Sequence, residues 1–244
     1  MALGTNSQIS GRSHWNVAAG AFVCPTTIPE LSGSHPNRPD WLPLSPALTF
    51  QTLKDVAAEA GTSLDWADYA AFCLEYERGL RAQAFAILKR FIHSLEHAPF
   101  AERRRFVSWL MNRADGRQGR TMLVPHPLHI RVVEPTLLEW TEVEPRCSEP
   151  HRWLGGYEHL KRAIELQPDD QLARRKLIVS ILGGVGFATH ELPVGYIGVP
   201  DEGLASLSEA ETLLEGLSDE GDRREFAAQV AEERALIHEY LRRQ

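Results

Sequence analysis

The chain has 244 residues, of which 43% are hydrophobic and 24% are charged, and its formal net charge is −7. This apolar content excludes a disordered chain, because enough surface can be buried to offset the ordering entropy. No apolar run approaches the roughly 20 residues that cross a bilayer, and the first residues lack the pattern of a secretory signal. Three widely spaced cysteines do not form a disulfide framework. We therefore expect a cytoplasmic protein with no membrane segment.

Residues 1–46 are predicted to form a proline-rich, irregular N-terminal arm. They hold six of the fifteen prolines. Proline fixes φ and removes a backbone donor, which excludes a regular helix or a central strand. Two alternatives remain for this arm: it packs on the body through its aromatic residues, or its first part is disordered.

Residues 47–114 are predicted to form a helical subdomain. Apolar residues recur at helical spacing from about residue 48 to residue 60, and three further helical stripes follow before residue 114. The T-S-L-D segment at 62–65 resembles a capping box, and Pro99 suits a first helical turn.

Residues 115–150 are predicted to form a linker with a small β-hairpin near 121–144. Apolar and polar residues alternate around Ile130, Val132, Leu138 and Trp140, and β-branched residues are dense. Five prolines between 125 and 150 would keep such strands short or at an edge.

Residues 151–244 are predicted to form a second helical subdomain. Asp169 or Asp170 can cap its second helix, and the glycines at 183 and 184 are expected to end that helix. A long loop should then occupy 184–203, where Gly and Pro are frequent. The S-L-S-E segment at 206–209 predicts the start of the next helix.

Residues 155–178 resemble the second helix of a tetratricopeptide repeat and the start of the following unit. The matching positions are Gly156, Leu160, Ala163, Ile164 and Pro168. The resemblance covers about a tenth of the chain, and no second full copy of the repeat is visible. It implies a packed pair of helices and, in that family, a concave surface that binds peptides.

Charge is distributed unevenly along the sequence. Residues 81–120 hold nine Arg or Lys against three acids, whereas residues 191–244 hold thirteen acids against five bases. The basic stretch, with Arg103, Arg104 and Arg105 at its centre, is a candidate nucleic-acid surface. The alternatives are that it faces the acidic C-terminal helices or is solvated. The net negative charge of the chain would repel nucleic acid at long range, which argues against nucleic acid as a partner.

Histidines supply the candidate binding residues. His126 and His129 lie beside the predicted hairpin, and His190, Glu191 and Tyr196 lie in the predicted loop of 184–203, a kind of segment that often carries function on a rigid scaffold. The H-x-x-E-H segment at 93–97 matches a zinc-peptidase pattern, but its histidines should point away from the apolar stripe of their helix. No metal or cofactor is predicted.

The sequence therefore predicts a mainly α fold of tetratricopeptide-like helix pairs with a small β-hairpin insertion. The function that we expect is binding of a protein or peptide without catalysis. One alternative is a small enzyme or a metal- or ligand-binding protein that uses the loop histidines where the two subdomains meet. The second alternative is nucleic-acid binding through residues 81–120.

Overall fold

The computed structural model describes residues 46–115 and 120–244, and in these ranges the chain is almost entirely helical. None of the described residues lies in a β-strand, which confirms the mainly α class. The predicted N-terminal arm falls outside the described residues, apart from Pro46, which begins the first helix. Within the described ranges, no helix is long and apolar enough to span a membrane.

The helices follow one another along the chain, and ten residues separate α10 from α11. The first part of the chain contains α1 (Pro46–Ala60), a 3₁₀ turn (Leu64–Trp66), α2 (Ala67–Glu77), α3 (Arg81–Glu96), α4 (Phe100–Ala114) and α5 (Arg120–Leu123). Next come α6 (His126–Leu128), a π-helical turn (His129–Val133), α7 (Glu134–Val143) and α8 (Glu149–Leu154). The chain ends with α9 (Tyr157–Leu166), α10 (Gln171–Thr189), α11 (Pro200–Glu215) and α12 (Glu220–Arg243).

The apolar side chains form two clusters. The first is built from α1 to α8, and aromatic rings fill its centre: Tyr69 lies 5.1 Å from Phe106 and 5.6 Å from Phe91, measured between ring centroids. The second is built from α9 to α12 around Leu177, Ile178 and other aliphatic side chains. The division of the sequence at 114 and 150 stays a prediction.

The prediction of a β-hairpin near 121–144 is wrong, because residues 126–143 are helical. Of the alternating residues, Val132 and Trp140 are buried, but Ile130 and Leu138 are nearly half exposed. Pro127 lies in the first turn of α6, where a residue needs no backbone donor. Pro135 follows the π-helical turn, where the regular hydrogen bonding of an α-helix is already interrupted.

Two boundaries in the second half also differ from the prediction. Helix α10 runs through the glycines at 183 and 184 as far as Thr189, because Ile181, Leu182 and Val185 are buried in the second cluster. That burial outweighs the cost of about 1 kcal/mol for each helical glycine. The capping box at 206–209 lies inside α11, which starts at Pro200.

Cys73 is a fully buried core residue, and burial raises the pKa of its thiol to about 12. Only the thiolate reacts with alkylating reagents, so we expect native Cys73 to react with iodoacetamide at pH 8 roughly 1,000-fold more slowly than in urea. Peptide mass spectrometry after timed alkylation measures this rate. The half-buried Cys147 is the internal comparison. Equal rates for Cys73 in the native and the unfolded chain would contradict its burial.

Candidate binding groove

An open groove lies on the surface of the first cluster, and it contains two of the predicted site residues. Its volume is about 560 Å³. Seven residues line it, and most of their surface is apolar: Tyr76, Phe85, Val124, Pro125, His126, Pro127 and His129. A volume of this size suits a small ligand or one or two side chains of a peptide.

The turn between α2 and α3 positions the aromatic wall of the groove. The Leu80 N–H donates to the Glu75 carbonyl over 2.9 Å, and the Gly79 N–H donates to the Tyr76 carbonyl over 3.1 Å. This pattern is a Schellman motif, and it needs a left-handed residue, which Gly79 supplies with φ of +78°. The turn brings Tyr76 and Phe85 into an edge-to-face contact with centroids 5.8 Å apart.

The opposite wall is held in place by a buried hydrogen bond. The Tyr69 hydroxyl donates to the Leu123 carbonyl over 2.6 Å, which fixes the chain just before Val124. The Pro125 carbonyl then accepts hydrogen bonds from the backbone N–H groups of Leu128 and His129. These bonds orient the helical turn that carries both groove histidines.

The rim of the groove carries cationic or protonatable side chains. The Arg81 guanidinium lies 5.7 Å above the centre of the Tyr76 ring and donates to its hydroxyl over 3.2 Å. Arg81 has no carboxylate partner among the residues that the structure describes. His126 is exposed, and His129 Nδ1 lies 3.8 Å from a carboxylate oxygen of Glu134. The part of the rim that carries Arg81 is therefore suited to an anionic group.

The other predicted site residues lie elsewhere. The His190 Nδ1–H donates to the Phe187 carbonyl over 2.5 Å, and the His190 Nε2 lies 3.1 Å from a carboxylate oxygen of Glu191. These two residues therefore lie at the C-terminal end of α10, where His190 binds a carbonyl of the last turn. Neither residue lines the groove. The structure therefore does not bring His126, His129 and His190 into this one pocket.

Tyr196 packs against the second cluster. Its hydroxyl lies only 2.1 Å from where a Cβ on Gly203 would stand, so a glycine is needed in α11 at this point. Burial, and then the charges of Glu233 and Glu202, raise the pKa of Tyr196. The residue stays a predicted binding residue, but here it is a half-buried side chain that packs against the second cluster.

The arginines of the basic stretch are largely neutralised by carboxylates. Arg103 pairs with Glu139 at 2.7 Å, and Arg105 pairs with Asp65 at 2.6 Å. Further pairs join Arg90 to Asp68, Arg104 to Glu144 and Arg113 to Glu59. The partners lie between residues 59 and 144, in the part of the chain that builds the first cluster, and not on the acidic C-terminal helices. Arg117 and the Arg120 side chain lie outside the described part of the chain.

The described residues contain no group of three or more His, Cys, Asp or Glu side chains that could hold a metal ion. The H-x-x-E-H segment fits this finding, because the His97 Nδ1–H donates to the His93 carbonyl over 2.7 Å and both rings are exposed.

Tyr76 and Phe85, two of the seven lining residues, were not predicted from the sequence, and neither was Arg81, which contacts Tyr76. The two aromatic residues fall on helical stripes and read as core. Their exposure depends on where residues 124–129 pack, which no local pattern reveals.

Compared with known proteins, the chain has no match among protein-family models, curated proteins or solved structures.

Proposed function

We propose that this chain is a helical, non-catalytic binding protein whose groove accepts a peptide segment with a large apolar side chain next to a carboxylate. The observation that carries the proposal is the combination of an aromatic wall with an arginine that lacks an acidic partner in the described chain. Tyr76 and Phe85 offer flat apolar surface, and aromatic and arginine side chains are enriched where proteins bind one another.

The positive charge of Arg81 explains why we expect a carboxylate beside the apolar side chain of the bound peptide. Arg81 is exposed at the rim, whereas the arginines farther along α3 and α4 already pair with carboxylates. A peptide carboxylate at the rim would gain a charge-assisted hydrogen bond, which is shorter and stronger than a neutral one.

The tetratricopeptide resemblance of residues 155–178 is part of the proposal. The packing of α9 against α10 and the burial of Leu160 and Ala163 support it. Gly156, however, precedes α9 with φ of +73° and does not lie inside a helix. The groove also lies on the first cluster, so the binding proposal does not depend on this resemblance.

The test is selection from a phage-displayed library of random 12-residue peptides, followed by fluorescence anisotropy with the selected peptides. We expect selected peptides to combine an aromatic or leucine residue with Asp or Glu. Arg81→Glu should weaken their binding about tenfold or more, equivalent to about 1.4 kcal/mol.

Lys89→Glu is the matched control, because Lys89 is an exposed cation on the same helix, eight residues or about 12 Å beyond Arg81, which contacts the groove residue Tyr76. It should change the affinity less than about twofold, since exposed charges away from an interface contribute little. Equal effects of the two substitutions, or no selected peptide at all, would contradict the proposal.

A further inference from the structure

A second histidine pair lies far along the chain from the groove residues, at the reversal between α8 and α9. His151 Nδ1 and His159 Nδ1 are 3.0 Å apart, and the two ring centroids are 5.2 Å apart. The chain turns back between them at Gly155 and Gly156, whose φ values are +69° and +73°. Residues with a Cβ rarely adopt such backbone angles. The two glycines therefore allow the chain to turn back so that the two rings meet.

We propose that His151 and His159 together bind a divalent transition-metal ion of the Cu²⁺ or Ni²⁺ type through their Nδ1 atoms. With metal–nitrogen bonds of about 2.05 Å, a separation of 3.0 Å between the two Nδ1 atoms corresponds to an N–metal–N angle of about 95°. That angle suits two adjacent ligands in square-planar or octahedral coordination, whereas a tetrahedral site needs about 109°. Cu²⁺ and Ni²⁺ also bind imidazole more tightly than the earlier divalent metals.

The protonation state of His151 favours metal binding near neutral pH. Burial, then the neighbouring His159 and then Arg162 lower the pKa of His151. The ring is therefore neutral at pH 7, as a metal ligand must be. In the metal-free protein, the Nδ1–H of one ring donates a hydrogen bond to the Nδ1 of the other. In the metal complex both protons would reside on Nε2, which leaves two unprotonated Nδ1 atoms.

The surroundings leave room for water to complete the coordination. Both histidines are half-buried, so one side of the pair faces solvent. The Arg162 guanidinium opposes a cation, but it is paired with Glu165 over 3.0 Å, which reduces its repulsion. Because the pair supplies two protein ligands and water the others, we expect weaker binding than at a structural zinc site.

The test is titration of the purified full chain with CuCl₂ and NiCl₂ at pH 7.5, followed by isothermal calorimetry. It uses the His93→Ala background, because His93 and His97 form another exposed pair with rings 4.7 Å apart. We expect one site that weakens about tenfold or more in His151→Ala and His159→Ala. His238→Ala removes an exposed histidine on α12 and is the matched control.

Two further measurements distinguish binding from structural damage. His159→Gln keeps a hydrogen-bonding side chain, so it should fold like the parent but bind the metal as poorly as His159→Ala. Cu²⁺ is paramagnetic, and it should broaden the amide NMR signals of Gly155 and Gly156 first. The proposal is overturned if the pair variants bind as tightly as His238→Ala, or if broadening occurs elsewhere and spares these glycines.

Discussion

Replacing Asp170 with alanine is expected to lower the free energy of unfolding by about 3–5 kcal/mol, which is the cost of breaking a buried ion pair from one side. The Asp170 side chain is 1% exposed, and its Oδ2 lies 3.2 Å from Arg152 Nη1. Its Oδ1 also caps α10 by accepting the Ala173 N–H over 2.9 Å. The alanine variant leaves the Arg152 guanidinium without its charge partner and α10 without its cap. Urea unfolding followed by circular dichroism at 222 nm measures the loss.

Asp169→Ala is the matched control, because this neighbouring acid is exposed and does not cap the helix. It should change the free energy of unfolding by less than about 0.5 kcal/mol. Asp170→Asn keeps the capping acceptor but removes the charge, so we expect a loss between those of the other two variants. If Asp170→Ala and Asp169→Ala lost equal stability, the pair between α8 and α10 would not hold the fold together.

The effect of Asp170 reaches beyond its own helix because of where the pair lies. Arg152 precedes Trp153, a member of the first cluster, while Ala173 and Leu177 on α10 belong to the second. The ion pair therefore connects segments that serve different apolar clusters. From the sequence, Asp169 and Asp170 were equally good caps, and only packing separates a buried acid from an exposed one.

Helical periodicity was sufficient to predict α1 to α4, because their apolar faces repeat over three or more turns. It failed at 126–143, where short helical segments follow one another and prolines dominate the local signal. The burial of Val133, Leu137 and Trp140 has helical spacing, but the alternation around Ile130 and Leu138 is equally visible in the sequence. A short apolar run cannot be assigned by periodicity alone.

Only part of the groove could be predicted from the sequence. His126 and His129 were predicted as binding residues because histidine often acts as a ligand or a base. The structure places both in one groove. The alternative in which His190 acts together with them requires two distant segments to meet, and no local sequence pattern measures such a distance. Arg81 could be recognised only after the neighbouring arginines were seen to pair with acids, which is a property of the tertiary structure.

Trp140 packs α7 against the first cluster. Trp140→Ala is expected to lower the free energy of unfolding by about 3–5 kcal/mol. The ring is 1% exposed, its Nε1–H donates to Glu144 over 2.9 Å, and the Arg104 guanidinium lies 4.6 Å from the ring centre. Trp140→Phe keeps most of the apolar contact and should lose less. Leu138→Ala, on the same helix but 45% exposed, should cost under about 1 kcal/mol, because little apolar area is uncovered. Urea unfolding followed at 222 nm compares the three variants. A larger loss for Leu138→Ala than for Trp140→Ala would mean that α7 presents its opposite face to the core.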